Sequence, residues 1–172
     1  TPAMQTNYSV ANINDCGLVL EADRFYDPLY RSTLRSLVAH IIRTEGPIFD
    51  DVMIRRIARA HGFARTGDRI RTAILKAVEP RFPRSEEGTR AIFWPEDGNP
   101  SALRPFRRSP AGERDHNDVP LIELGSLARR HLDNGADLDE TVHLMAREFA
   151  LGNLREGTRA RLLLAIERAR QG

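Results

Sequence analysis

The amino-acid sequence predicts a mainly α-helical protein: a winged helix-turn-helix followed by a second, wingless helix-turn-helix-like unit of three helices. Three observations lead there. Two sets of three segments carry apolar residues at helical spacing. Two short runs around a polar, Gly-containing turn follow the first set, whereas the chain ends before any such pair follows the second. Between the sets, Gly98 to Asp118 is rich in Pro, Gly, Ser and charge, the composition of a linker. The expected division is an N-terminal tail (1–24), a winged helix domain (25–97), a linker (98–118) and a second helical unit (119–172).

Residues 1 to about 24 are polar apart from Gly17-Leu18-Val19-Leu20, a candidate short strand, and the first dozen are expected to be poorly ordered. Asp27 then serves as N-cap and Pro28 as first residue of a helix, where its missing amide hydrogen costs nothing. Leu34, Leu37, Val38, Ile41 and Ile42 follow at helical spacing, and Gly46-Pro47 ends the run. The second helix begins at Asp50 or Asp51, whose carboxylates suit the positive end of the helix dipole. Met53, Ile54, Ile57 and Ala58 form its inward stripe, and Gly62 stops it. A few residues later Thr66 is expected to cap a third helix. Ile70, Ala73, Ile74, Ala77 and Val78 face inward there, Arg69, Arg71, Thr72 and Lys76 face outward, and Pro80 prevents continuation.

Arg81 to Pro95 reads as a β-hairpin, with Phe93 and Trp94 anchoring it on the core rather than stacking on bases. The linker, with Arg104, Arg107 and Arg108 clustered, reads as a solvated tether, a DNA-backbone contact being the alternative. Pro120 opens a fourth helix around Leu121, Leu124, Leu127, Ala128 and Leu132, ending near Gly135. Asp137 or Asp139 caps a fifth, with Val142, Met145, Ala146 and Phe149 inward. A last helix runs from about Glu156 to Ala169 around Leu162, Leu163 and Ile166.

The two sets also share a pattern. Ile54-x-x-Ile57-Ala58-Arg59 recurs as Val142-x-x-Met145-Ala146-Arg147, and Gly67-x-Arg69-Ile70-Arg71-x-x-Ile74 as Gly157-x-Arg159-Ala160-Arg161-x-x-Leu164, with a two-residue insertion between the blocks of the second copy. A duplicated unit accounts for this; coincidence between arginine-rich amphipathic helices is the alternative.

Composition narrows the function. With 41% hydrophobic and 29% charged residues the chain has the balance of a soluble globular protein. No apolar run approaches the ~20 residues of a membrane helix, and the N-terminus lacks the layout of a secretory signal. The lone Cys16 excludes an internal disulfide and fits a reducing, cytoplasmic setting. Opening on Thr1-Pro2-Ala3 rather than Met suggests a piece of something longer, or an added scar. Nucleotide hydrolysis has no phosphate-binding G-x-x-x-x-G-K-[ST] loop to run on. His40, His61, His116, His131 and His143 are scattered without zinc-ligand spacing, and Cys16 has no nearby His. The acidic pairs Asp50-Asp51 and Glu86-Glu87 are read as serving a helix start and a hairpin tip. No enzyme, cofactor or metal is expected.

Ile42-Arg43-Thr44-Glu45-Gly46-Pro47-Ile48, Ile54-Arg55-Arg56-Ile57-Ala58, Arg65-Thr66-Gly67-Asp68-Arg69-Ile70-Arg71 and Phe93-Trp94-Pro95 together resemble the family known as domain of unknown function 3320. The resemblance covers roughly Tyr26 to Pro95. It implies an accessory module from the C-terminal end of a large bacterial protein similar to superfamily 1 helicases. It carries no activity or catalytic residue over to this chain.

Binding is the expected role. Of 26 basic residues only Lys76 is a lysine, and arginine forks onto phosphates and guanine edges, although a GC-rich genome gives the same bias. Arg55, Arg56, Arg59, Arg65, Arg69, Arg71 and Lys76 face a single acid, Asp68, across the second and third helices. A recognition helix enters the major groove by its N-terminal half. Thr66, Gly67 and the first-turn amides would then hold a phosphate. Arg69 and Thr72 would face base edges, Arg65 and Arg71 phosphates, and Arg84 and Arg90 of the wing a groove or backbone; Lys76 completes the set. DNA, duplex or forked, and the parent helicase-like polypeptide are the expected partners. The rival reading is docking onto that parent, with the arginines neutralised by neighbouring acids.

Overall fold

Six α-helices and five short strands carry the described residues, 6–110 and 113–172, of the computed structural model. In chain order they are β1 (Thr6–Asn7), α1 (Arg31–Glu45), β2 (Ile48–Phe49), α2 (Asp50–Ala60), α3 (Asp68–Lys76), β3 (Arg84–Glu87), β4 (Arg90–Phe93), β5 (Arg107–Arg108), α4 (Leu121–Asp133), α5 (Leu138–Glu148) and α6 (Glu156–Gln171). The fold is thus mainly helical with little sheet. The elements form two units: Ser9–Pro100, and Thr6–Tyr8 together with Ser101–Gly172.

In the Ser9–Pro100 unit, the Asp27 side chain accepts a hydrogen bond from the Leu29 amide. Pro28–Tyr30 form one 3-10 turn that runs directly into α1. The apolar face of α1 (Leu34, Leu37, Val38, Ile41, Ile42) is buried, as are Val52, Met53, Ile54, Ile57 and Ala58 of α2. Each large side chain so removed from water contributes about 1.5–3 kcal/mol before chain entropy is counted. Gly46 ends α1 where space is tight: a Cβ there would lie 2.5 Å from the Ile42 carbonyl oxygen and 2.7 Å from Pro95 Cδ. The chain then gives β2, which pairs antiparallel with β4, itself paired with β3 in the order β2-β4-β3. Phe93 and Trp94 anchor the hairpin, at 4% and 2% exposure, and Trp94 Nε1 donates to Ser85 Oγ at 2.9 Å.

Three local expectations are corrected here. Gly17–Leu20 is not a strand: Gly17, at φ +63°, closes a 3-10 turn over Ile13–Cys16, and Val19 beyond it is 76% exposed. Tyr8 and Ala11 are buried, because Ala11 donates its amide to the buried carboxylate of Glu45 at 3.1 Å, and Tyr8 belongs to the other unit's packing. The expectation of disorder for residues 1–5 falls outside the described residues. Thr66 is not the cap of α3; Gly67 holds that position, with no side chain bonded to the first-turn amides, and α3 closes at Lys76, before Val78.

In the other unit α4, α5 and α6 pack around Leu124, Leu127, Val142, Met145, Leu162 and Ile166. The expected solvated tether contributes to this core. Phe106 joins it, β5 pairs in parallel with β1, and Arg107 and Arg114 lie buried against Glu123 of α4. The cause is electrostatic: Glu123 is a carboxylate on an otherwise apolar face, and only a segment bringing cations can be laid over it. Asp137 is the residue that caps α5, accepting from the Glu140 amide at 2.8 Å.

Candidate nucleic-acid interface

The turn from α2 to α3 is built on a left-handed residue. Gly62 takes φ +85°, which lets the Phe63 amide reach back to the Ala58 carbonyl at 3.0 Å and close the helix end. Behind the turn, Phe25, Tyr30 and Phe63 surround His61. The Ile57 carbonyl can only accept, so His61 Nδ1 carries the proton it donates there (2.7 Å). Nε2 accordingly accepts from the Tyr30 hydroxyl at 2.6 Å. Burial pushes the imidazole below its ordinary pKa, against the hydrogen bond to Ile57, and keeps it neutral.

In front of that box, Arg65, Thr66 and Gly67 are exposed, and Arg55, Arg59, Phe63, Arg65 and Thr66 line a cleft of about 360 Å³. Arg69, Thr72 and Lys76 are exposed along α3, with the guanidinium of Arg69 lying 3.9 Å over the Tyr26 ring. Arg59, Arg65, Arg69 and Lys76 have no acidic partner among the described residues. Arg59 was absent from the expected contact set. Its signal was there, an arginine in the last turn of α2 opposite the apolar stripe.

The remaining arginines of that set are occupied. Arg71 Nη2 donates to the buried carboxylate of Asp50 at 2.5 Å. Arg90 grips Asp51 through Nε (3.1 Å) and Nη2 (3.0 Å) and lies 3.4 Å over the Phe49 ring. Arg84 pairs with Glu86 at 3.3 Å, both well exposed. Asp50-Asp51 therefore does more than serve a helix end: it fastens α3 and the β3–β4 hairpin to the start of α2.

The turn between α5 and α6 closes in the same way as the turn between α2 and α3. The Leu151 amide reaches the Ala146 carbonyl at 3.0 Å across Ala150, at φ +53°, as Phe63 reaches Ala58 across Gly62. Arg159 pairs with Asp139 at 3.0 Å, but this pair is exposed, whereas the Asp50 that holds Arg71 is buried. The burial of the two helix pairs fits a different alignment from the one the arginine pattern suggests. A two-residue insertion would match Ile74, fully buried, with Leu164, 51% exposed, because two residues turn a helix by about 200°. Without an insertion Ile74 matches Leu162 and Ala77 matches Ala165, all buried, and the helix starts Asp68 and Glu156 coincide. Arg65, Arg69 and Lys76 then correspond to Asn153, Gly157 and Leu164.

Comparison with known proteins bears on the first pair. Residues 23–72 match the family described as Protein of unknown function (DUF3320). The matched segment holds the 3-10 turn, α1, α2 and the first half of α3, so it includes Arg59, Arg65, Arg69 and the Asp50–Arg71 pair. It stops short of Lys76 and of the hairpin to which the expected resemblance extended. No curated protein and no solved structure matches the chain. Among the described residues no helix is long and apolar enough to cross a membrane.

Proposed function

We propose that the Ser9–Pro100 unit is a winged helix, with α3 as recognition helix and β3–β4 as wing, that binds duplex or forked DNA as a non-catalytic accessory module of a larger helicase-like polypeptide. One observation carries this reading: Arg59, Arg65, Arg69 and Lys76 are exposed without an acid to neutralise them among the described residues. Such cations contact phosphate and release counterions, which supplies affinity without sequence information. Arg71 and Arg90 act from behind, holding α3 and the wing in place. With Arg71 engaged and Asp68 on the same face, little is left to read base edges, so specificity for sequence is low. The Leu138–Gln171 helix pair reads as a second copy that keeps an arginine at the position of Arg59 (Arg147) but has lost the cations at the positions of Arg65, Arg69 and Lys76, so it makes a weaker contact at most.

Duplex binding should fall with salt with a log–log slope of roughly −3 to −4, set by about four phosphate contacts. Arg59→Ala with Arg65→Ala should weaken binding and flatten that slope by about 2. A protein that binds no DNA at low salt, or binds it independently of salt, is not this module. The second reading, docking on a protein partner, draws on Tyr26 and Leu29, 41% and 78% exposed beside α1, and on the arginines already paired. It predicts that Leu29→Ser abolishes partner capture and leaves DNA binding intact.

A further inference from the structure

Arg69, Ala73 and Lys76 recur along one flank of α3, the side turned away from Arg71 and its tie to Asp50. Across from them stand Tyr26, Arg31 and Leu34, from the turn before α1 and its first turns. Together they line a groove of about 460 Å³, within the ~300–1,000 Å³ of small-ligand sites. Three cations and an aromatic and aliphatic wall share the space with one acid, Asp68. Arg31, like Arg69 and Lys76, is exposed and has no acidic partner among the described residues.

Resting on the DNA-binding reading, we propose that this groove receives one unpaired nucleotide, such as the first flipped-out or overhanging residue beside a duplex. A base needs a flat apolar surface and a phosphate needs mobile cations, and the groove offers both. The guanidinium plane of Arg69 already lies 3.9 Å over Tyr26, so a base laid on that plane extends an existing stack. Its phosphate falls to Arg31 and Lys76. Asp68 repels a second phosphate and accepts a hydrogen bond from an exocyclic amine, which limits the groove to a single nucleotide rather than a continuous backbone track.

The test uses the full chain, a blunt duplex, and the same duplex carrying a short overhang with 2-aminopurine at the first unpaired position. Binding should favour the overhang by about tenfold and quench the 2-aminopurine. Arg31→Ala and Tyr26→Leu, both at exposed positions, should bring the preference within about twofold while blunt-duplex affinity holds. Equal affinity for the two substrates without quenching overturns the groove and leaves the duplex surface standing. An equal loss on both substrates in Arg31→Ala also overturns it, by making Arg31 part of the duplex contact. Failure to bind either DNA overturns the underlying reading instead. Displacement of the labelled strand by an acidic peptide at equal concentration would reassign the groove to a protein segment.

Discussion

Glu123 has no exposed surface, and its carboxylate accepts hydrogen bonds from Arg107 Nε at 2.8 Å, Arg114 Nη1 at 2.8 Å and Arg114 Nη2 at 2.5 Å, with the Arg107 amide at 3.1 Å. Burial by itself drives this carboxyl upward. The charges and hydrogen bonds of Arg114 and Arg107 outweigh it and hold the group below its ordinary range. A depressed folded-state pKa means that the unfolded chain binds the proton more readily. The contribution is therefore complete above the ordinary Glu value of about 4.3 and is lost as pH falls below it toward the folded value. Glu123→Gln should cost about 3–5 kcal/mol by leaving two buried guanidinium groups uncompensated. Urea unfolding at neutral pH measures this, and the gap between variant and wild type should narrow below pH ~4. A gap independent of pH would mean that shape, not charge, holds the triad. The sequence hides both Glu123, which helical spacing places off the stripe of Leu121, Leu124, Leu127, Ala128 and Leu132, and its partners, which come from a segment whose composition reads as tether. The same blindness applies to Arg71. Periodicity places it outward correctly, yet whether an outward arginine stays available depends on an acid, Asp50, that only the folded chain brings alongside.

Among elements, legibility follows length. The helices declare themselves through repeated apolar spacing, and β3–β4 through its turn; β1, β2 and β5 are two residues each and have no period to show. The α2–α3 site was half legible for that reason: its exposed face follows from spacing, its start does not, since Thr66 and Gly67 are both acceptable caps by residue type. The closing turns of α2 and α5 provide a matched pair of tests. Gly62 sits at φ +85° with no atom within 4 Å of where a Cβ would be, so Gly62→Ala meets backbone strain alone. It should lower the stability of the Ser9–Pro100 unit by about 1–2 kcal/mol. Ala150 already bears that strain at φ +53°, and Ala150→Gly should stabilise the other unit by about 0.5–1 kcal/mol after the added freedom of the unfolded chain is counted. Denaturant midpoints read both, and opposite signs are required. If both substitutions destabilise, the two turns do not share one conformation.

At the scale of the whole molecule, one unit is built from two separate stretches of the sequence. Thr6–Tyr8 pack with the unit of Ser101–Gly172, and Ser9–Pro100 intervenes between them in sequence. Composition hides this arrangement, because an eight-residue polar start resembles any other tail. What ties it down is one aromatic side chain and a strand of two residues. Tyr8 is 6% exposed, the guanidinium groups of Arg114 and Arg107 lie 4.2 and 5.1 Å from its ring centre, and its amide donates to the Arg108 carbonyl at 2.7 Å. Starting the chain at Ser9 removes the ring that covers the Glu123 triad and the strand partner of β5, and lets water reach a buried ion cluster. The loss should be about 2–3 kcal/mol, the contribution of a buried large side chain, and it should fall on the C-terminal unit alone. Two probes separate the units: the single Trp94 lies in Ser9–Pro100, whereas amide exchange in α4 and α6 reports on the other. The truncated protein should keep its tryptophan-detected unfolding midpoint and lose protection in α4 and α6. A shift of the tryptophan transition with unchanged exchange in those helices would place the N-terminal residues in the wrong unit.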